Sequence, residues 1–167
     1  MNQTFRTRAD AATIQKALDT RIVALARAHD VLSDRNWQGA SLRETAELVL
    51  QPYLLGEARV RLEGPEVKLS PRVSVVIALV LNELVTNAAK YGALQTAVGE
   101  IELRWFAPQS GEMVLSWRER GGPAVVPPAQ KGFGTQFIER CITGDLQGSM
   151  EMSFAPGGLA CIMSLKV

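Results

Sequence analysis

The spacing of apolar residues divides the chain into stretches with a helical period and stretches with a strand period. Leu18, Ile22, Leu25, His29 and Leu32 follow one another at steps of 4, 3, 4 and 3. That spacing predicts a helix over residues 10–33 with a packing seam of the kind that closes a helical hairpin or bundle. Asn36-Trp37-Gln38-Gly39 breaks it, and Trp37 is expected to anchor the loop. Ser41-Leu42-Arg43-Glu44 is a capping box, whose outer two side chains can each satisfy the other's backbone N–H, so a second helix should start there and run toward Pro52. The period then falls to two. Val60 and Leu62 alternate with Arg59 and Arg61, and Glu63-Gly64-Pro65-Glu66 should turn the chain into a second short strand at Val67-Lys68-Leu69.

The stretch from Pro71 to Leu94 returns to the helical period and organises the rest. Ser70 can cap it, and Pro71 suits a first helical position because its missing N–H has no partner there in any case. Gly92 stands where a helix would leave through a left-handed residue. Val73, Ile77, Val80, Leu81, Leu84 and Ala88 form a stripe at steps of three and four, which predicts a buried helix over 71–91. Glu83, Asn87 and Lys90 lie on another face, about one turn apart. Such a face is either solvated, as on many surface helices, or lines a pocket. The apolar run from Val75 to Leu81 indicates a helix covered on most sides, where polar groups must be paired or face a ligand.

Strand periodicity follows. Ile101, Leu103 and Trp105 alternate with Glu102 and Arg104; Met113, Leu115 and Trp117 alternate with Val114, Ser116 and Arg118. Residues 120–134 are rich in Gly and Pro and read as a functional loop, and Thr135 to about Thr143 reads as a helix. Met150, Met152 and Phe154, a turn at Pro156-Gly157-Gly158, and then Leu159, Cys161, Met163 and Leu165 make a closing hairpin. Helices followed by strands, with one central helix between, predict an α+β sandwich: a mostly antiparallel sheet covered on one face by helices.

Composition narrows the function classes. A chain of 167 residues, 47% hydrophobic and 21% charged, has the make-up of one ordinary globular domain, with or without a helical appendage. Its net charge of +1, without a basic stripe interleaved with aromatics, argues against nucleic acid as a partner. The run Val75–Leu81 is too short by itself to cross a bilayer, and the N-terminus has no apolar signal core. Cys141 and Cys161 do not form a Cys-x-x-Cys pair and are most simply small buried hydrophobes, which suits a cytoplasmic setting.

Three constellations carry possible chemistry. Glu119 continues the inward parity of Met113, Leu115 and Trp117, so its carboxylate should face the core at a strand end. It must find donors there, either in structural neighbours or in a ligand N–H such as an adenine amino group. Gly121 and Gly122 beyond it would let a flat ring approach the backbone. Gly132-Phe133-Gly134-Thr135 leads into a helix whose free N–H groups suit a phosphate, with Lys131 adding a cation. Alone each signal is common. Together they describe a base, a phosphate tail and a metal: Asn87 offers the hard carbonyl oxygen that Mg2+ accepts, Glu83 can take or orient a proton, and Lys90 offsets phosphate charge.

These motifs resemble a known family. Leu81-Asn-Glu-Leu-Val-Thr-Asn-Ala-Ala-Lys-Tyr-Gly-Ala-Leu94 is similar to the N-box of the Bergerat-type ATPase domain of histidine kinases. Trp117-Arg-Glu119-Arg-Gly-Gly-Pro123 resembles the adenine motif of the HWE subgroup, and Gly132-Phe-Gly-Thr-Gln-Phe-Ile-Glu-Arg140 its phosphate lid. Ala24–Leu32 and Asn36–Ala40 resemble the helix and linker that precede that domain. The resemblance implies a Bergerat two-layer sandwich over residues 40–167, with residues 1–39 a remnant of the dimerisation hairpin and linker. It implies ATP and Mg2+ as cofactors, with Asn87 on the metal, Glu83 the catalytic base and Glu119 reading adenine. Lys90, Tyr91, Gly121, Gly122, Lys131, Gly132, Gly134 and Thr135 would be nucleotide contacts.

The activity implied is transfer of the γ-phosphoryl group of Mg-ATP to a histidine on a separate upstream helix, in bacterial two-component signalling. The implied partners are that helix, a response regulator and a second copy of the kinase. A non-catalytic or anti-sigma-like partner switch on the same fold is the alternative. Two departures stand out. Asn82 occupies the position of the subgroup's name-giving His, and no phosphoacceptor motif of the family's kind precedes the helix at 10–33. His29, followed by Asp30, is the sole histidine; it reads as a seam residue rather than the acceptor.

Overall fold

The computed structural model describes residues 40–54, 59–107, 111–124 and 132–166. The helix expected at 10–33, with His29 and Trp37, lies outside them, as does Lys131. The elements in chain order are α1 (Leu42–Leu54), β1 (Val60–Glu63), α2 (Pro71–Tyr91), a 3-10 turn (Ala93–Gln95), β2 (Glu100–Phe106), β3 (Glu112–Arg120), α3 (Phe133–Arg140), a π-helical turn (Cys141–Asp145), β4 (Ser149–Ala155) and β5 (Gly158–Lys166).

The five strands form one mixed sheet in the order β1-β2-β3-β5-β4, parallel only between β1 and β2. Alternation decides which side chains point inward. Ile101, Leu103, Trp105, Met113, Leu115, Trp117, Cys161, Met163 and Leu165 are buried on one face. The residues between them, such as Arg104, Arg118 and Ile162, are exposed on the other. The helical stripe meets the buried face: Ile77, Val80, Leu81, Leu84 and Ala88 of α2 have no accessible surface, and only Val73, in the first turn, is half-buried. Each such branched side chain contributes about 1.5–3 kcal/mol on burial. The two-layer α+β architecture read from the periodicities is the one observed.

The capping box closes as its sequence requires, Ser41 N–H donating to Glu44 Oε2 at 2.9 Å and Glu44 N–H to Ser41 Oγ at 3.1 Å. Ser70 caps α2 through Val73 N–H at 3.4 Å. Three local expectations are corrected. The first helix runs through Pro52 to Leu54 rather than stopping at the proline. Val67–Leu69 does not pair with β1. Leu42 N–H donates to Val67 O and Leu69 N–H to Ala40 O, so this segment lies along the entrance to α1. The intervening turn is taken up by Trp105, whose indole N–H donates to Pro65 O at 2.7 Å and whose ring leaves no room for a Cβ at Gly64. Gly92 ends α2 at φ −122°, outside the left-handed region, with its N–H donating to Ala88 O at 3.0 Å.

The longest apolar run of α2 is short, as read from the sequence, while the whole 21-residue helix is long and apolar enough to cross a bilayer by length and composition. Here it is the central helix, with ten of its residues buried under the sheet and α1.

Candidate functional site

The polar face of α2 grades from inside to outside. Glu83 is buried, Asn87 half-buried and Lys90 exposed, followed by Tyr91, whose ring is largely in solvent. The start of α3 lies directly on this face. A Cβ added at Gly134 would stand 2.9 Å from Glu83 Oε2 and 3.5 and 3.8 Å from the amide nitrogen and oxygen of Asn87. Glycine is therefore the side chain that lets the N-terminus of α3 approach the carboxylate and amide so closely. Gly132, the N-cap of α3, provides no side-chain cap and has open space around it, and Thr135 is half-buried in the first turn. The other end of this unit is tied back to α2 where Arg72 donates to Asp145 O at 3.2 Å.

Glu119, next to last in β3, has its side chain inward and buried, as its parity requires. Its Oε2 accepts Ala93 N–H at 2.9 Å, and its Oε1 accepts the Trp117 indole N–H at 3.1 Å. Burial pushes its pKa above the ordinary carboxylate value of 4.5, while these two donors pull it back toward the ionised form. Of the two donor sources left open by the sequence, structural neighbours thus supply at least one hydrogen bond to each oxygen.

The glycines beyond Glu119 also meet the chain's own backbone. Gly121 has φ +69°, and a Cβ there would lie 2.7 Å from Val98 O; a Cβ at Gly122 would lie 2.8 Å from the Ala93 backbone. Thr96 Oγ1 donates to Gly121 O at 2.6 Å. The segment 92–99 is therefore the floor on which Glu119, Gly121 and Gly122 sit.

Sequence reasoning missed the residue that holds this floor. Arg59, read as an outward-facing residue of a strand, is half-buried, and its guanidinium donates to Gly99 O at 3.0 Å, Ala93 O at 3.5 Å and Thr96 O. The signal available was indirect: Gly92 and Gly99 bracket a segment with no periodicity of its own, which needs an external tether.

Asn82 lies one residue from Glu83, hence about 100° round the helix and off the face that Glu83 shares with Asn87. Its amide nitrogen is buried without a hydrogen-bond partner. Cys141 and Cys161 are buried as expected and form no disulfide among the described residues, and burial pushes the Cys161 thiol up to about 12, so it stays protonated.

The described residues include no group of three or more His, Cys, Asp or Glu able to cage a metal. One half-buried amide beside one buried carboxylate instead suits Mg2+, which keeps most of its shell as water and phosphate oxygens.

This fold is that of the catalytic domains of histidine kinases. It matches the histidine kinase domain of the Erythrobacter litoralis EL346 blue-light activated histidine kinase with a TM-score of 0.68 at 15% identity, over 90% of this chain and 74% of that one. It matches the catalytic domain of the histidine kinase ThkA with a TM-score of 0.55 at 16% identity, over 77% of this chain and 95% of that one. Within that class, residues 1–66 match the family model described as HWE histidine kinase. A blue-light-activated histidine kinase of Brucella anthropi is 39% identical over 163 residues, which is 95% of this chain and 33% of that protein. The chain thus spans about a third of the length of that curated relative.

Proposed function

We propose that this chain binds Mg-ATP between α2, the end of β3 and the start of α3, and transfers the γ-phosphoryl group to a histidine on a separate helix. The phosphate would pass from there to a response regulator. Residues 40–167 are the nucleotide-binding unit in this reading, and residues 1–39 belong to a dimerisation hairpin. The observation that carries it is the seating of Gly134 on Glu83 and Asn87. It brings a phosphate-binding helix N-terminus, a carboxylate and a metal-type amide oxygen to one point, with Glu119 at the far end of the same surface.

Each residue then has a task. Asn87 would hold Mg2+, which when bound neutralises the β- and γ-phosphate oxygens. The α3 N-terminus, with Gly132, Gly134 and Thr135, offers N–H groups to the phosphate tail, Lys90 adds positive charge at its rim, and Lys131, next in sequence to Gly132, would supply a further cation. Glu119, Gly121 and Gly122 form the base end, with Tyr91 beside it. As the imidazole nitrogen of the acceptor bonds to the γ-phosphorus, the bond from that phosphorus to the bridging oxygen breaks and ADP leaves. Glu83 takes the proton that the imidazole gives up. The partner-switching alternative shares the fold but requires none of this proton chemistry, and the presence of Glu83 beside Asn87 favours the kinase.

Titration calorimetry with Mg-ATP tests the site. Wild type should bind, and Asn87→Ala should lose Mg-dependent binding while its thermal unfolding stays within a few degrees of wild type. Equal affinity in the two proteins would overturn the assignment.

A further inference from the structure

The base end of the proposed site has an arrangement that the nucleotide reading does not use. Glu119, Gly121 and Gly122 all rest on residues 92–99, and that segment has little structure of its own. Its internal backbone bonds are those of a single 3-10 turn, Gln95 N–H to Gly92 O at 3.1 Å and Thr96 N–H to Ala93 O at 3.3 Å. It nevertheless presents Ala93 N–H to Glu119 at 2.9 Å and Thr96 Oγ1 to Gly121 O at 2.6 Å. Something outside the segment must fix it.

Arg59 does so from three points. Its guanidinium reaches the carbonyls of Ala93, Thr96 and Gly99, which stand at the beginning, middle and end of the segment. Its own carbonyl accepts Ile101 N–H at 2.7 Å, so the backbone that carries the side chain is registered on the start of β2. A planar, permanently charged fork with several donors can bridge three carbonyls in this way, whereas a lysine ammonium on a flexible stem holds a single point. Ala93 is the joint: its carbonyl faces Arg59 and its N–H faces Glu119.

We infer that Arg59 is a positioning residue for base recognition: it clasps residues 93–99 so that Ala93 orients the Glu119 carboxylate and the glycine pair toward the purine. This rests on the nucleotide reading given above. Arg61, two residues on, serves as a control, since it is exposed on the strand and, among the described residues, pairs with Glu100 at 3.4 Å.

The test uses the 167-residue chain with Arg59→Ala, Arg59→Lys and Arg61→Ala. Amide hydrogen exchange in the nucleotide-free protein reads the clasp alone. Exchange at Ala93 and Thr96 should quicken by 10-fold or more in both Arg59 variants, with strands β3 and β5 unchanged, and should not move in Arg61→Ala. Binding then separates the two ends of the site. Affinity for Mg-ATP should fall about 10-fold in Arg59→Ala and Arg59→Lys, while affinity for Mg-tripolyphosphate, which has no base, stays at the wild-type value. Equal losses for ATP and tripolyphosphate, or unchanged exchange at Ala93, would overturn the inference. Wild type that binds neither ligand, with exchange responding as expected, would instead overturn the nucleotide reading and leave the clasp standing as a structural tether.

Discussion

The two ends of the candidate site are built in opposite ways. At the base end several polar groups have partners within the chain: Glu119 accepts from Ala93 and Trp117, Gly121 O accepts from Thr96, and Arg59 spans three carbonyls. At the phosphate end, the α3 N-terminus has no side-chain cap, Gly132 stands in open space, and Lys90 extends into solvent. Among the described residues, one end is held by bonds within the chain and the other presents a helix N-terminus without a side-chain cap. That division suits a nucleotide. A purine is flat and uniform and rewards a fixed floor, whereas a phosphoryl group must be gripped, transferred and released.

The comparison can be broken at either end. The largest expected effect is on chemistry. Glu83→Gln keeps the volume of the buried side chain and removes its basicity, so phosphoryl transfer to an acceptor helix should slow by ~10²–10⁴ while Mg-ATP affinity barely changes. Single-turnover transfer alongside calorimetry checks this, and a loss of affinity equal to the loss of rate would show that Glu83 acts in binding.

Next come the glycines. Gly122→Ala drives a Cβ to 2.8 Å from the Ala93 backbone, which cannot give way as a flexible side chain can, and should cost about 1–3 kcal/mol in urea unfolding. Gly132→Ala meets nothing within 4 Å and should cost under about 1 kcal/mol, the modest change expected at a helix N-cap. Similar losses at both would remove the contrast between a finished end and an open one.

The smallest effect is a slope with pH. The pKa of Glu119 is raised in the fold, so the folded state holds its proton more tightly than the unfolded state does. Its contribution to stability is present in full below about 4.5 and is lost as pH rises through the folded value. Glu119→Gln should flatten that slope. It should also lower stability at every pH by about 1–3 kcal/mol, because its NH2 group must face one of two N–H donors. An unchanged slope in the variant would mean that another group carries the pH dependence.

Much of this was legible in the residues themselves, for reasons that differ by element. The stripe of α2, its Ser70 cap and the alternation of β2, β3 and β5 are local patterns, and the periods of helix and strand express them directly. The inward parity of Glu119 was readable for the same reason. The pairing of β1 with β2 rather than with Val67–Leu69 was not, because it is decided by Trp105 filling the turn 40 residues away in sequence. Arg59 escaped notice similarly: its three acceptors lie between 34 and 40 positions downstream, and nothing local to it distinguishes a clasp from a solvated strand residue. Asn82 was noticed as a departure from the family motif, but only the helix geometry puts it on a different face from Glu83 and Asn87.

The position of α2 in the chain has a consequence for synthesis. This helix is made before β2, β3, β4 and β5, so the strands that cover it leave the ribosome after it does. At about 5–20 residues per second, the last of them follows seconds later. During that interval α2 lacks its sheet cover and is a segment of membrane-spanning length, and its only charges are Arg72, Glu83 and Lys90. Glu83 lies just past the middle of the segment, where a charge most strongly opposes insertion into lipid. The Glu83 carboxylate therefore also disfavours entry of this helix into lipid before its covering strands exist.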